Sequence, residues 1–504
     1  MKKQIRKGIW QMKKNRQRLA TAGLFMALAA VSALPVLAEE DKSQHGWQQE
    51  EDGRWFYTNR DGSRETESWV RGADGSRYYL DADGYMAVNQ VIKDGDNIYY
   101  VNENGVRVRN QWASEPNDDL CDQEVDTLWY YFDHNGRAVN TEGKALKLKD
   151  GNAERIYFFD SDGHMLSGWQ NITKWNKADE TNTYYLGDEN QGYARMQWQY
   201  LEVDNDFFDA DGYEYDSYEF FYFGYDGKMK KNCEDELNDE HFLFDENGAL
   251  LTGWQPGVTP SDKDLGLNRY YDEETGVRAK GWLFAHDPDN EDSDPHWFYC
   301  DDKKGTLFNE GGRDSDDELS YKKINGKTYF FDDKGHMITG LISTDGTAIP
   351  DVFMDEGFET LSGDIGKGNG KKAAGIYYLS QDEGTLGQLQ SDKRIGLKDN
   401  DEMVYYYLGK SGRAYTNTLI KGCIYGPDGA MLHSEDSDKE IFTVDDIYEQ
   451  DDYSQGRLKD GATPVIPAGS QVIVNKSGKV TQRGTVKVDD VSYDVDHYQA
   501  IQKD

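Results

Sequence analysis

The sequence is short of positive charge. It has 56 Lys and Arg against 94 Asp and Glu in 504 residues, which gives a formal net charge of −38. Because proteins hold a nucleic-acid backbone by neutralising its phosphates with Lys and Arg, this balance excludes DNA and RNA as default partners. Catalytic signatures are also missing: there is no His-Glu-x-x-His, Gly-x-Ser-x-Gly or phosphate-loop sequence, and the nine histidines are scattered. We therefore expect no catalytic residues, no enzymatic activity and no cofactor.

Long apolar runs are absent except at the start. Residues 1–18 carry eight Lys and Arg and no acid, residues 19–37 are apolar, and Ala38 precedes Glu39. A basic segment, a short apolar core and a small residue at the cleavage position predict a secretory signal peptide over residues 1–38. The alternative is an uncleaved membrane anchor, for which the apolar core is short. We expect an exported protein with no membrane contact once the signal is removed.

Aliphatic content is low, which together with a high net charge would ordinarily indicate disorder. However, 13% of the residues are aromatic, with 34 Tyr, 20 Phe and 12 Trp, and these rings need somewhere to pack. They recur in clusters that are followed by a polar turn and a glycine. Examples are Trp55-Phe56-Tyr57 to Gly62, Tyr78-Tyr79-Leu80 to Gly84, Tyr99-Tyr100-Val101 to Gly105 and Trp129-Tyr130-Tyr131-Phe132 to Gly136. A period of about 20–35 residues is typical of a repeat array.

Each repeat reads as a β-hairpin. The aromatic clusters favour strands, and turns such as Asp81-Ala82-Asp83-Gly84 supply a residue with positive φ. Because a lone hairpin is barely stable in water, successive hairpins must stack and bury one aromatic face between them. The sequence therefore predicts an all-β protein: a β-solenoid of stacked β-hairpin repeats with almost no helix.

A second element, a small or polar residue followed by Trp, recurs between the aromatic clusters. It appears at Trp47, Trp69, Trp112, Trp169, Trp198, Trp254 and Trp282, and decays to Gly340-Leu341. With the aromatic clusters and glycine turns, as in the stretch from Tyr157-Phe158-Phe159 to Gly168-Trp169, this pattern resembles the cell-wall-binding repeat family. That family includes choline-binding and glucan-binding repeats, and the resemblance extends from residue 46 to about 432.

The resemblance implies a surface protein that binds wall polymers or glycans. In choline-binding members, aromatic rings of adjacent hairpins form a cage, and a quaternary ammonium is well suited to such rings because their faces carry negative charge density. The implied partner is a choline-decorated teichoic acid or an extracellular glycan. The implied location is secreted and associated with the cell wall or cell surface of a bacterium, most simply a Gram-positive one. The alternative is a spacer or adhesin that presents acidic loops to a protein partner.

Carrying the cage over requires the Trp of the second element, the Trp that opens the next aromatic cluster, and an aromatic from the following hairpin. Three places keep both tryptophans: Trp47 with Trp55 and then Tyr78 or Tyr79, Trp112 with Trp129 and then Tyr157, and Trp282 with Trp297 and then Tyr329. Elsewhere the opening Trp is replaced, by Arg77, Ile98, Ile156, Thr183 or Arg269. Those hairpins are expected to stack without binding choline. Core packing and sugar stacking are the alternatives for any of these rings.

The expected organisation is a signal peptide at 1–38, repeats at 39–340, an irregular Gly-rich interruption at 341–375, further repeats at 376–440 and a β-rich cap or degenerate repeats at 441–504. Acidic turns such as Asp160-x-Asp162-Gly163 lack the loop of an EF-hand, so we expect no metal ligands there. The closest cysteines, Cys233 and Cys300, are 67 residues apart, too far in a solenoid for a disulfide. Cys300 occupies the register of a buried hydrophobe.

Overall fold

The structure is a computed structural model that describes residues 45–118, 125–208, 217–256, 268–288, 290, 292–308, 319–350, 353, 365–366, 372–399, 402–435, 438–454 and 457–503. The predicted signal peptide and Cys121 lie outside these residues. The chain divides into two compact units: unit 1 comprises Met1–Gly253 and Tyr271–Val277, and unit 2 comprises Trp254–Tyr270 and Arg278–Asp504.

Unit 1 is built from strands that pair with their neighbours in sequence. They are β1 (Gly46–Gln49), β2 (Trp55–Thr58), β3 (Ser68–Arg71), β4 (Arg77–Leu80), β5 (Gln90–Asp94), β6 (Asn97–Val101), β7 (Gln111–Pro116), β8 (Thr127–Phe132), β9 (Leu146–Asp150), β10 (Ala153–Tyr157), β11 (Trp169–Lys174), β12 (Lys177–Tyr185), β13 (Gln197–Glu202), β14 (Tyr218–Phe223), β15 (Cys233–Leu237), β16 (Glu240–Phe244) and β17 (Leu250–Leu251).

The division between the units falls within β18 (Gly253–Gln255) and β19 (Arg269–Tyr271). The strands that follow belong to unit 2. They are β20 (Gly281–Ala285), β21 (His296–Cys300), β22 (Ser320–Ile324), β23 (Lys327–Phe331), β24 (Gly340–Ser343), β25 (Ile376–Leu379), β26 (Lys393–Asp399), β27 (Glu402–Leu408), β28 (Thr418–Ile420), β29 (Cys423–Tyr425), β30 (Lys439–Thr443), β31 (Tyr448–Glu449), β32 (Tyr453–Ser454), β33 (Arg457–Leu458), β34 (Gln471–Asn475), β35 (Gly484–Val488), β36 (Val491–Asp496) and β37 (Gln499–Gln502).

The predicted architecture is confirmed: both units are stacks of β-hairpins, and the described residues contain no α-helix, only short 3-10 turns such as Gln450–Asp452. No helix in the described part of the chain is long and apolar enough to cross a membrane. Where a hairpin carries the small-or-polar residue followed by Trp, the strand with that element pairs with the strand carrying the next aromatic cluster, as β3 does with β4. Alternation follows along β8, where Leu128, Tyr130 and Phe132 are buried and the residues between them are half-buried.

The Asp-x-Asp-Gly turns play a different part from the one expected. Gly84 has positive φ as predicted, but its turn does not join the two strands of a hairpin. It follows the second strand and folds the chain back, so that Leu80 forms a bridge with Met86. The two strands of that hairpin, β3 and β4, are instead joined by the tight turn in which Gly75 donates its N–H to the carbonyl of Gly72.

These second turns connect each hairpin to the one before it. The residue two positions after the turn glycine donates its backbone N–H to a carbonyl in the second strand of the preceding hairpin: Met86 to Trp55 at 2.7 Å, Arg107 to Arg77 at 2.9 Å and Met165 to Trp129 at 2.8 Å. The same bond recurs in unit 2, from Met337 to Trp297 at 2.7 Å. Backbone pairing between hairpins therefore uses the carbonyl of the opening position whatever its side chain, because every residue supplies that acceptor.

Long insertions lie inside hairpins. The acidic stretch between Ala285 and His296 joins β20 to β21 and therefore lies within one hairpin. The Gly-rich stretch, most of which lies outside the described residues, likewise falls between β24 and β25, which pair with each other. The predicted domain boundaries remain predictions.

The C-terminal region is β-rich, as predicted, and its core is aliphatic. Strand β34 pairs with β30, while β35, β36 and β37 form one antiparallel sheet. Val472, Ile473 and Val474 are fully buried there. Elsewhere Cys300 is buried as its register predicted, and Cys233, Cys300 and Cys423 are free thiols.

Candidate ligand-binding sites

The Gly-Trp tryptophans occupy one repeated setting. Trp47 stands directly opposite Tyr57 in the β1–β2 hairpin, and the two ring centroids are 5.6 Å apart. On its other side Trp47 meets Tyr78 of the next hairpin at 5.2 Å. Both contacts are edge-to-face, with interplanar angles of 78° and 71°, the arrangement that aromatic quadrupoles favour. We call this set, a Trp with the aromatic opposite it and one from the next hairpin, a Trp-centred triad.

Seven such triads occur in the described residues, and their spacing is nearly constant. The opposing ring lies 4.9–5.6 Å from the Trp and the ring of the next hairpin 4.7–5.3 Å from it. The triads are Trp47–Tyr57–Tyr78, Trp69–Tyr79–Tyr99, Trp112–Tyr131–Tyr157, Trp169–Tyr185–Phe221 and Trp198–Tyr222–Phe242 in unit 1, and Trp254–Tyr270–Phe298 and Trp282–Tyr299–Tyr329 in unit 2.

The predicted site residues fall into this scheme unevenly. Tyr78, Tyr157 and Tyr329 are the next-hairpin members of the triads of Trp47, Trp112 and Trp282, whereas Tyr79 belongs to the triad of Trp69.

The opening tryptophans differ from one another. Trp297 contacts Trp282 at 6.3 Å and is 37% exposed, so it could reach an external ligand. Trp129 packs in the same apolar cluster as Trp112, but in this described part of the chain the two rings do not stack on each other or meet edge to face. Trp55 lies opposite Gln49. It is two residues before Tyr57 in β2, so both rings lie on the same face of the strand.

Two triads already hold a cation of the protein itself. The guanidinium carbon of Arg107 lies 5.3 Å from the ring centroid of Trp69 and 5.1 Å from that of Tyr99. In unit 2 the Lys322 ammonium lies 5.3 Å from Tyr299 and 4.7 Å from Phe308. These distances are within the range of cation–π attraction. Over the rings of the Trp47 and Trp112 triads, by contrast, the described residues place no Lys or Arg.

A second feature distinguishes the surroundings of the Trp47 and Trp112 triads. The indole N–H of Trp47 is buried and finds no hydrogen-bond acceptor among the described residues, and the same holds for Trp129, which packs beside the Trp112 triad without belonging to it. In other triads the indole is satisfied: Trp69 donates to Asp94 at 3.1 Å and Trp254 donates to the carbonyl of His286 at 2.8 Å. A buried donor without an acceptor costs about 1–3 kcal/mol. An oxygen of a ligand admitted between the rings would remove that cost.

A cavity of about 560 Å³ opens beside the Trp169 triad. Its walls include the rings of Trp169 and Tyr185, and its rim includes the carboxylates of Glu202, Asp204 and Asp206. Asp204 is fixed by a turn in which its Oδ1 accepts the N–H of Asp206 at 3.1 Å. Ring faces and carboxylates together attract a small organic cation.

The tyrosines of these sites act as neutral rings. Burial is the main cause that raises the pKa in each case, so the phenols keep their protons at neutral pH. They are Tyr78, Tyr131, Tyr157, Tyr185 and Tyr299.

Sequence reasoning did not select two groups of residues that the structure brings into the triads. The first is the aromatic opposite each Trp, such as Tyr57 or Tyr131, which strand alternation places on the same face as the opening Trp. The second is the Trp169 group, set aside because Thr183 replaces the opening Trp. Its signal was an aromatic pair inside an acidic insertion: Phe207 and Phe208 pack on Trp169 at 5.9 and 4.8 Å.

Two known repeat families match segments of this chain. Residues 63–107 match the choline-binding repeat, and residues 45–63 and 320–337 match the cell wall binding repeat. The matched segments are repeats of the choline-binding and cell-wall-binding type. The matched segments include the hairpin of Trp47 at one end and that of Tyr329 at the other.

Curated relatives carry similar sequence over most of this chain. Glucosyltransferase-I of Streptococcus downei is 23% identical over 397 residues, covering 68% of this chain and 22% of the relative. Glucosyltransferase-S of Streptococcus mutans is 26% identical over 365 residues, covering 65% and 20%. The chain thus spans about a fifth of the length of the curated relatives that it matches.

Solved structures that align with this chain include two from Streptococcus pneumoniae. The modular autolysin LytC aligns with a TM-score of 0.34 and 16% identity over 61% of this chain and 57% of that one. CbpJ aligns with a TM-score of 0.29 and 21% identity over 77% of this chain and all of that one.

Proposed function

We propose that the protein is a non-enzymatic surface protein that attaches to a choline-bearing cell-wall polymer, or to an extracellular glycan, through aromatic sites between its hairpins. One observation carries the proposal: in the described residues the Trp47 triad combines ring faces that hold no Lys or Arg with a buried indole N–H that lacks an acceptor, and the Trp112 triad has such ring faces beside the buried indole N–H of Trp129. A ligand that offers both a cation and a nearby oxygen matches that pair of features. Phosphocholine and sugar hydroxyls both supply the oxygen.

The acidic character of the chain supports a cationic group as the part recognised first. A net charge of −38 draws a quaternary ammonium toward the surface and repels free polyanions. The cavity at Trp169 places three carboxylates beside ring faces, which would strengthen this attraction at that point. The second candidate function, a spacer or adhesin, is supported by the acidic insertion between β20 and β21.

The test is co-sedimentation of the full chain with purified Gram-positive cell walls, with and without excess choline, and in parallel with insoluble α-glucan. Release from walls by choline supports cation cages, and retention on glucan supports sugar stacking. No retention on either contradicts wall or glycan binding and favours the spacer or adhesin. Release of soluble sugar from either substrate would contradict the non-enzymatic assignment.

A matched pair of variants separates binding from folding. Trp47→Ala and Trp69→Ala each remove the central ring of a triad with the same geometry, so each is expected to cost about 3–5 kcal/mol of stability. Only Trp47→Ala removes a triad that is free of an internal cation, so only this variant should lower choline-sensitive retention. Equal retention by the two variants would contradict the role of the Trp47 triad.

A further inference from the structure

A cluster of metal-ligating side chains stands apart from the aromatic triads. In unit 2, one ligand atom from each of Asp287, His296 and His336 lies within 4.8 Å of the other two. Asp287 belongs to the insertion between β20 and β21, His296 begins β21, and His336 follows the turn after β23. All three side chains are partly buried, and they come from two successive hairpins of the stack.

His336 is held in the orientation of a metal-binding histidine. Its backbone N–H donates to Asp332 Oδ1 at 2.8 Å, and its Nδ1 contacts Asp332 Oδ2 at 3.1 Å. A carboxylate on one ring nitrogen fixes the tautomer and leaves the other nitrogen to bind a metal. That other nitrogen, Nε2, points at Asp287 Oδ1 at 2.7 Å. At this distance the imidazole nitrogen and the carboxylate oxygen share a proton, which a metal ion would displace on binding.

The donor set selects the kind of ion. Two imidazole nitrogens and one carboxylate oxygen suit Zn²⁺ and related transition ions, whereas Mg²⁺ and Ca²⁺ prefer oxygen ligands. The His296 and His336 rings are stacked with centroids 4.0 Å apart. In a tetrahedral zinc site, ligand atoms are about 3.3–3.5 Å apart. The three ligand atoms lie within 4.8 Å of one another, so they would have to move by about 1 Å to surround one ion, and the two rings would leave their stacked arrangement.

The chain contains a natural counterpart without the ligand set. His164 follows its turn as His336 does, and its Nδ1 contacts Asp160 Oδ2 at 2.9 Å. In the hairpin that precedes His164, however, the residue before the opening Trp129 is Leu128, whereas the residue before Trp297 is His296. The Asp160–His164 pair thus forms without a further ligand nearby. Within the described residues, a second histidine (His296) and a second carboxylate (Asp287) join such a pair only at His336.

We propose that Asp287, His296 and His336 bind one Zn²⁺-type transition-metal ion, oriented by Asp332, and that the ion fastens the β20–β21 insertion to the next hairpin. His296 directly precedes Trp297, the exposed member of the Trp282 group, so the ion would also fix the edge of that aromatic site. This proposal does not depend on choline or glycan binding.

The test is titration of the full chain, stripped with a chelator, with Zn²⁺ alone by calorimetry, together with thermal unfolding with and without Zn²⁺. His296→Leu, which copies Leu128 and should fold, is expected to weaken binding at least tenfold at one site and to abolish the Zn²⁺-dependent rise in Tm. Asp287→Asn should act in the same direction, Asp332→Asn should weaken binding 10–100-fold, and His164→Asn should leave both the Zn²⁺ affinity and the Zn²⁺-dependent rise in Tm unchanged. Equal Zn²⁺ affinity in the wild type and His296→Leu, or an equal loss in His164→Asn, would overturn the proposal.

Discussion

The guanidinium of Arg107 lies against the rings of Trp69 and Tyr99, 5.3 and 5.1 Å from their centres. Arg107 donates its backbone N–H to the preceding hairpin as Met86 and Met165 do, so an arginine stands at one repeat where those two have a methionine. Burial lowers the pKa of Arg107, and its Nε finds no partner among the described residues. Its main attractive contacts are therefore with the rings, and the protein fills this triad with its own cation.

Replacing Arg107 should vacate that triad. Arg107→Met copies the methionine of the neighbouring repeats, so the fold should persist, and the Trp69 and Tyr99 rings should become available to an external cation. We expect one additional choline equivalent to bind per chain, measured by equilibrium dialysis. The charge control is Arg109→Met, which removes an exposed arginine from the same segment and should add no site. An unchanged number of bound cholines in Arg107→Met would contradict this account.

The acidic rim of the Trp169 cavity should contribute to cation affinity. Asp204→Asn keeps the Oδ1 that accepts the N–H groups of Asp206 and Phe207 and removes only the charge. Because the rim is exposed, we expect choline to bind about 2–5-fold more weakly at low salt, and the difference should shrink at high salt. Calorimetry at two ionic strengths checks this. Asp179→Asn, an exposed carboxylate in β12 that does not line the cavity, is the matched control.

The turn glycines should differ in their tolerance of a side chain. Gly136 and Gly62 both have positive φ, 76° and 88°, so alanine should cost about 1–2 kcal/mol at either site. At Gly136, however, an added Cβ would lie 2.8 Å from the carbonyl oxygen of Val108, whereas at Gly62 it would meet nothing within 4 Å. We therefore expect Gly136→Ala to lower the free energy of unfolding by about 1–3 kcal/mol more than Gly62→Ala. Equal losses in denaturant titrations would mean that this turn does not pack as tightly as described.

Asp160 should make stability sensitive to acid. Burial alone would raise the pKa of Asp160, but hydrogen bonds from the ring and the backbone N–H of His164 outweigh it and hold the pKa below 3.8. A carboxyl with a lower pKa in the folded state contributes stability above its unfolded pKa and loses that contribution as pH falls through the folded value. Asp160→Asn should thus be about 1 kcal/mol less stable than the wild type at pH 7, and the difference should narrow below about pH 4.

Chemical unfolding of both proteins at several pH values checks this. Asp162→Asn, an exposed carboxylate in the same turn, should show a much smaller difference from the wild type. A difference between Asp160→Asn and the wild type that stays constant down to low pH would contradict the role given to the ionised carboxylate.

The sequence alone was enough to predict the repeat and its class. Aromatic clusters, the Gly-Trp element and the glycine turns recur along the chain, and a hairpin cannot bury its own aromatic face. For that reason the all-β solenoid follows from local pattern and period. Cys300 was placed correctly for the same reason, since its register in a strand decides which face it occupies.

Tertiary structure decided which rings meet and which of them are open. The opening position supplies a backbone carbonyl to the next hairpin, as Trp55 does for Met86, so its side chain says little about whether a triad forms. The opposing ring and the occupying cation depend on pairing register and on residues one repeat away, as with Arg107 at Trp69. Contacts between repeats depend on how the hairpins stack. The sequence period gives the spacing of the hairpins along the chain, but it does not say which side chains of two hairpins meet.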